Sequence, residues 1–99
     1  ADVQIQINKP EYLKEAIIHL EYSLLAERYN PRMWRQLGIA YGRLGNLGKS
    51  WHALSEESFI RGRYQDALRH ARRAQRKLKA GSSSWLRAED ISLAAQRHL

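Results

Sequence analysis

The sequence predicts an all-α protein, a stack of about five antiparallel helices. Apolar residues recur at the i, i+3, i+4 and i+7 spacing that places side chains on one face of a helix. The clearest series is Trp34, Leu37, Gly38 and Tyr41. A second series begins 17 residues later at Trp51 and continues with Leu54 and Ser55. A small residue in the third place, Gly38 or Ser55, leaves a notch in which a neighbouring helix can pack closely.

The first predicted helix begins at Pro10, because proline suits the first turn and Glu11 favours the positive end of the helix dipole. Its apolar residues form two stripes, so we expect neighbours on two sides, as in the middle layer of a stack. The first stripe is Leu13, Ala16, Ile17, Leu20 and Leu24, and the second is Ile18, Tyr22 and Leu25. Residues 1–9 are expected to form a frayed lead-in or a truncated helix, which leaves 10–99 as the domain.

Four further helices are predicted over about 31–44, 48–60 and 64–78, and from about 85 onward. Asn30 is the expected N-cap of the second helix, with Pro31 at its first position. Gly45 and Gly62 are expected to end the second and third helices, and the Gly81 to Ser84 stretch to precede the last. The fourth helix has the most regular apolar stripe: Tyr64, Ala67, Leu68, Ala71, Ala74 and Leu78.

Composition restricts the class of protein. The 99 residues suit one domain, and 43% hydrophobic with 27% charged residues is a globular balance. Cysteine is absent, which excludes disulfides and cysteine-ligated metal but leaves the compartment open. No apolar run approaches the roughly 20 residues that span a bilayer, and the start shows no signal-peptide pattern. The net charge of +7 favours an anionic partner: nucleic acid, an acidic protein surface or anionic lipid.

Most of the excess positive charge falls on the fourth helix and its flanks. Eight basic residues and one acid, Asp66, lie between positions 61 and 79. The bases are Arg61, Arg63, Arg69, Arg72, Arg73, Arg76, Lys77 and Lys79. We call Arg69, Arg72, Arg73, Arg76 and Lys77 the basic ridge. A solvated face is its first interpretation and an acidic docking partner its second. Nucleic acid is the least favoured, since no exposed aromatics are interleaved with the bases.

The Trp34 and Trp51 series, with the alanines that follow, resemble the tetratricopeptide repeat (TPR). More specifically, residues 34–43, 62–67, 70–76 and 85–91 resemble the C-terminal TPR region of bacterial zinc-dependent metalloproteases of the cell envelope. In that family a catalytic HExxH domain precedes the TPR tail. The likeness covers roughly residues 10–91, and the stretch 81–91 is its most distinguishing part. The resemblance implies a TPR-like right-handed helical stack in the periplasm.

The resemblance also implies a function. The chain would be a non-catalytic protein–protein interaction scaffold that positions substrates or assembly partners for an upstream zinc metalloendopeptidase. The chain opens on Ala1, so we expect a segment of a longer protein. HExxH is absent: His52 and Glu56 lack the adjacent Glu and the second His. Zinc and catalysis are therefore expected only upstream. The expected partner is an acidic protein or peptide, including the protease domain of the same polypeptide. Alternatives are a stand-alone TPR adaptor for acidic peptides and a basic nucleic-acid-binding domain.

By the same resemblance, the first helix of a TPR unit lines the concave groove and its polar residues meet the ligand. The predicted partner-binding residues are Arg32, Arg35, Arg43, Lys49 and His52. Arginine binds a carboxylate in bidentate fashion, which suits a peptide terminus or acidic side chains. An ordinary solvated surface is an equally open interpretation.

Other candidate sites have simpler structural interpretations. We expect the rings of Trp34, Tyr41, Trp51, Tyr64 and Trp85 to pack between helices, because they lie on periodic apolar stripes. Among the histidines, His19, His52, His70 and His98, no two have the helical spacing of a metal site. The adjacent Glu56 and Glu57 point about 100° apart on a helix, so they are not expected to flank one scissile bond.

Overall fold

The computed structural model describes residues 9–99, in which all regular secondary structure is α-helical. The helices are α1 (Pro10–Ala26), α2 (Pro31–Arg43), α3 (Leu47–Ile60), α4 (Tyr64–Lys77) and α5 (Ser83–Arg97). Connections of three to five residues fold each helix back beside the one before it. The all-α prediction is therefore confirmed. The lead-in predicted for residues 1–9 lies, apart from Lys9, outside the described residues.

Polar caps and turn glycines explain where the helices begin and end. The side chains of Asn30, Asn46 and Ser82 each accept a hydrogen bond from a backbone N–H three residues later, which satisfies a donor that the helix leaves unpaired. At the end of α3, Gly62 has φ +78°, a conformation that favours glycine. Its N–H donates to the Phe59 carbonyl, so this turn reverses the chain into α4.

The helices stack in order, with α3 at the centre. It packs against α2 and α4 and also contacts α5, whereas α1 packs against α2 alone among the described helices. Two clusters of buried residues form the core. Leu13, Ala16, Ile17, Leu20, Leu24, Leu37, Ala40, Tyr41 and Ala53 join α1 to α3. Ala67, Ala71, Ala74, Ala88, Ile91 and Ala95 join α4 to α5, with Trp51 of α3 packed against them.

The notch predicted at Gly38 brings α2 and α3 close together. A Cβ at this position would lie 3.0 Å from Leu54 Cγ and 3.3 Å from the Ser50 carbonyl oxygen. The Ser50 hydroxyl donates to the Gly38 carbonyl at 2.7 Å, a contact that also requires close approach. The rings of Trp34, Tyr41, Trp51 and Tyr64 belong to the core clusters or pack against them, as their spacing predicts, whereas Trp85, predicted to do the same, is in neither cluster.

One prediction about α1 is wrong. Its second stripe, Ile18, Tyr22 and Leu25, is exposed instead of covered by a second neighbour. The reason is its position: α1 stands at the end of the described stack and contacts only α2. Within residues 9–99, no helix has the length and apolar character needed to span a bilayer.

Candidate functional site

An open cavity of about 470 Å³ is lined by α1, the turn after it, α2, α3 and the start of α5. In the stack, α2 packs between α1 and α3, and it contributes Trp34, Leu37 and Tyr41 to the cavity wall. Its apolar lining is Leu24, Leu25, Trp34, Leu37 and Ala53. Its charged lining is Glu21, Arg28, Lys49, Glu56 and Arg87, with His52, Tyr41, Ser83 and Ser84 completing the wall.

Tyr41 joins two sides of the cavity. Its hydroxyl donates to Glu21 Oε2 at 2.6 Å, which links α2 to α1. Burial, assisted by the bond to Glu21, raises the pKa of Tyr41 well above its ordinary value, so the hydroxyl stays protonated. The Lys49 ammonium lies 5.5 Å from the centre of the Tyr41 ring, a cation–π distance. Among the described residues, no carboxylate lies within salt-bridge distance of Lys49.

Glu56 is the most buried charge in the cavity wall, at 4% exposed. Arg87 donates to both of its oxygens, from Nε at 2.9 Å and from Nη2 at 3.0 Å. The His52 Nε2 atom lies 2.9 Å from Glu56 Oε2. Burial alone would raise the pKa of Glu56, but the hydrogen bonds from His52 and Arg87 outweigh it and hold the pKa below its ordinary value. Glu56 is therefore ionised: its carboxylate oxygens are hydrogen-bonded to Arg87 and His52, and its charge neutralises Arg87.

Trp34 lines the cavity and contacts both the turn after α1 and α3. Its indole N–H donates to the backbone carbonyl of Arg28 at 2.8 Å, which anchors the turn between α1 and α2. Its ring lies edge-on to His52, with the ring centres 5.8 Å apart. One indole thus holds the backbone that carries Arg28 and also touches the α3 wall.

The structure separates the residues that were predicted to bind a partner. Lys49 and His52 line the cavity. Arg32, Arg35 and Arg43 lie exposed on α2 and do not line it. Arg35 extends instead towards Glu57, at 3.8 Å. The separation arises because α3, together with α1 and α5, forms the polar wall, whereas α2 contributes mostly its apolar side.

Four charged residues of the cavity were not predicted to bind a partner. Glu21 comes from α1, Arg28 from the turn after it, Glu56 from α3 and Arg87 from α5. The His52 to Glu56 spacing of one helical turn was visible in the sequence. The Arg87 partner was not, because 31 residues separate it from Glu56.

The basic ridge is a different surface from the cavity. All five of its side chains are exposed on α4, which contributes nothing to the cavity lining. Arg69 pairs with Asp66, and the Arg73 guanidinium lies 4.9 Å from the Trp51 ring centre. His70 stacks on the same indole at 5.1 Å, and its Nδ1 atom is buried without a hydrogen-bond partner in the described structure.

Comparisons with protein-family models, with curated proteins and with solved structures gave no match to this chain. Within the described residues, no three His, Cys, Asp or Glu side chains are grouped so that they could hold a metal ion. The cavity combines an apolar surface with three cations, Arg28, Lys49 and Arg87, against two carboxylates. Such a site suits a ligand that has both an aliphatic group and a negative charge.

Proposed function

We propose that this chain is a TPR-type protein–protein interaction domain, without a catalytic role, whose cavity binds an acidic peptide segment. The observation that carries the proposal concerns Lys49: its ammonium has no carboxylate partner among the described residues, and it lines the same cavity as the accessible apolar side chains of Leu25 and Trp34. A leucine-like side chain would bury against these side chains, and a carboxylate would pair with Lys49.

A regular period supports the TPR class. Ile17, Trp51 and Trp85 recur every 34 residues, on α1, α3 and α5. These alternate helices supply most of the charged cavity wall, whereas α2 lines the cavity with Trp34, Leu37 and Tyr41 and α4 does not line it. The buried alanines of α4 match the small-residue helix of a 34-residue unit.

The charge balance supports an acidic partner. Glu56 is neutralised by Arg87, and Glu21 accepts the Tyr41 hydroxyl. Lys49 and Arg28 remain as cations with no ion-pair partner among the described residues. The net charge of the chain, +7, adds long-range attraction for an acidic segment.

By the resemblance described above, the domain would sit behind a zinc metalloendopeptidase of the cell envelope, in the periplasm. Its contribution would be positioning: a segment held in the cavity raises the effective concentration of its carrier near the active site. The coding frame upstream of Ala1 tests this parent, because an HExxH helix and a signal peptide are expected there. A stand-alone adaptor for acidic peptides is the alternative, and it uses the same cavity.

The binding test uses two labelled hexapeptides of alternating leucine and either glutamate or lysine, followed by fluorescence anisotropy. We expect the glutamate peptide to bind and the lysine peptide not to bind. Lys49→Glu should weaken binding by about tenfold or more, since it replaces attraction by repulsion in a partly desolvated site. Lys77→Glu makes the same charge change on the basic ridge and should alter binding by less than about twofold. Equal effects of the two variants would contradict cavity binding.

The exposed basic ridge keeps nucleic acid as a second candidate. If it binds DNA, a labelled duplex should bind with an affinity that falls steeply with salt, because phosphate contacts release counterions. The double variant Arg72→Glu/Arg76→Glu should then abolish binding, while Lys49→Glu should have only a small effect. No binding of the duplex at low salt excludes this candidate.

A further inference from the structure

A smaller cavity of about 260 Å³ adjoins the one described above, and we call it the side pocket. It is lined by the turn after α1, the second half of α3 and one residue of α5. The lining residues are Arg28, Tyr29, Glu56, Phe59, Ile60 and Arg87. Arg28, Glu56 and Arg87 also line the first cavity. The two cavities are therefore neighbouring parts of one groove, and the charged side chains that they share lie between their apolar linings.

The apolar lining of the side pocket is mostly aromatic. Phe59 packs against the core of α4 and α5, and its ring lies edge-on to the Tyr64 ring, with the ring centres 5.4 Å apart. Tyr29 is 75% exposed, so most of its ring surface is available to a ligand. The turn that carries Tyr29 is anchored, because the Trp34 indole donates to the Arg28 carbonyl. Since a cavity of roughly 150 Å³ can hold benzene, the side pocket is large enough for a phenyl ring.

We propose that the side pocket is a second subsite of this groove and that it takes an aromatic side chain of the bound segment. The inference rests on the proposed peptide binding and specifies the ligand further. A phenyl ring in the side pocket would pack against Phe59 and Tyr29, and aromatic pairs are favourable beyond the area that they bury. The bound segment would then have two apolar anchors: an aliphatic side chain beside Leu25 in the first cavity, and an aromatic side chain in the side pocket.

The charges between the two cavities specify what separates the two anchors. Glu56 is buried, and its charge is neutralised by Arg87, which donates to both of its oxygens. Arg28 lines both cavities and has no ion-pair partner among the described residues. A carboxylate on the ligand between the anchors would pair with the Arg28 guanidinium. We therefore expect a segment in which an acidic residue separates an aliphatic residue from an aromatic one.

The test starts from the hexapeptide of alternating leucine and glutamate. Each leucine is replaced in turn by phenylalanine or by alanine, which gives a matched pair of labelled peptides for every leucine position. Fluorescence anisotropy measures the dissociation constant of each peptide. At one position, the phenylalanine peptide should bind wild type about threefold to tenfold more tightly than its alanine match, and this preference should depend on Tyr29.

Tyr29→Ala removes part of the side pocket and leaves the first cavity intact, because Tyr29 does not line it. It should weaken the tightest phenylalanine peptide by about threefold to tenfold and its alanine match by less than about twofold. Tyr22→Ala is the matched control, since Tyr22 is 76% exposed and lines neither cavity. Both peptides should bind this control within about twofold of wild type. Circular dichroism verifies that the variants remain helical.

Leu25→Ala tests whether the two anchors occupy different places. Leu25 is 83% exposed and lines the first cavity but not the side pocket, so its loss should affect a different residue of the peptide from the loss of Tyr29. If both variants affect the same peptide position, or if Tyr29→Ala weakens the matched peptides equally, the side pocket is not a subsite and peptide binding in the first cavity stands. If no peptide binds wild type, both proposals are wrong.

Discussion

Arg87 holds Glu56 through two parallel hydrogen bonds, of 2.9 and 3.0 Å, and so ties α5 to the middle of α3. His52 completes the group from one turn earlier on α3. The carboxylate is almost fully buried, which ordinarily disfavours its charge. The pair therefore serves two purposes: it lines the cavity, and it supplies the counter-charge without which a buried carboxylate at this position would destabilise the fold.

Loss of Arg87 should be strongly destabilising. Arg87→Met keeps the length of the side chain but leaves the buried Glu56 with His52 alone, and we expect it to lower the free energy of unfolding by about 2–4 kcal/mol. The double variant Arg87→Met/Glu56→Leu removes both charges and should recover at least half of that loss. Urea unfolding at pH 7 measures both. A change below about 0.5 kcal/mol in Arg87→Met would mean that the pair contributes little.

The Glu56 carboxylate also makes the free energy of unfolding depend on pH. Its pKa is held below the ordinary value in the folded state, so the stabilisation is fully present above the unfolded pKa of about 4.3. It is lost as the pH falls through the lower, folded pKa. In Glu56→Gln the group does not titrate. The stability difference between wild type and Glu56→Gln should therefore shrink as the pH is lowered from about 5 to about 3. A difference that stays constant over this range would contradict the shifted pKa.

His70 should contribute a second acid-sensitive step. Burial lowers its pKa, opposed by Asp66 and assisted by Arg73 and Arg69. A neutral folded histidine stabilises fully above its unfolded pKa of about 6.5, and the effect is lost as the pH falls through the folded value. His70→Phe keeps a ring on Trp51 and removes the unpartnered Nδ1 atom. We expect it to be as stable as wild type at pH 7.5, or up to about 1 kcal/mol more stable.

The pH dependence separates this explanation from a simple packing effect. Between about pH 6.5 and 5, unfolding free energies of wild type should fall more steeply than those of His70→Phe. Parallel slopes would show that His70 does not titrate differently in the folded and unfolded states.

Any side chain at position 38 should lower the free energy of unfolding. In Gly38→Ala the new methyl group meets Leu54 at 3.0 Å and the Ser50 carbonyl at 3.3 Å, which forces α2 and α3 apart. We expect a net loss of about 1–2 kcal/mol, although alanine is the better helix former by about 1 kcal/mol. Gly42→Ala is the comparison, since its methyl group meets only the Ser50 side chain, at 3.2 Å from Oγ, and should cost less. Thermal unfolding of the two variants measures which of the two substitutions is the more destabilising.

Where sequence reasoning succeeded, the determinants were local. The Asn30 cap, the Gly62 turn and the alanine stripe of α4 all act within about four residues of themselves, so they indicated helices and boundaries without any knowledge of neighbours. The second stripe of α1 shows the limit of this reasoning. Its periodicity shows that a face is apolar, but the neighbour that would cover that face is a property of the whole stack.

For the same reason, the sequence predicted only part of the candidate site. Lys49 and His52 were predicted because the TPR resemblance places their helix beside a groove, and they do line the cavity. The arginines of α2 were selected by the same argument and lie elsewhere, since no local pattern reveals which of two adjacent helices turns its polar side to the cavity.

The sequence by itself determined a five-helix chain, its small-residue notches and its basic ridge, because helix periodicity, capping and charge act over a few neighbouring positions. Only the tertiary structure decided that Glu21 and Arg87, 66 residues apart, line one cavity, and that Glu56 finds its counter-charge on α5. The physical reason is that packing brings such residues together through the summed geometry of every helix between them, which no short stretch of sequence contains.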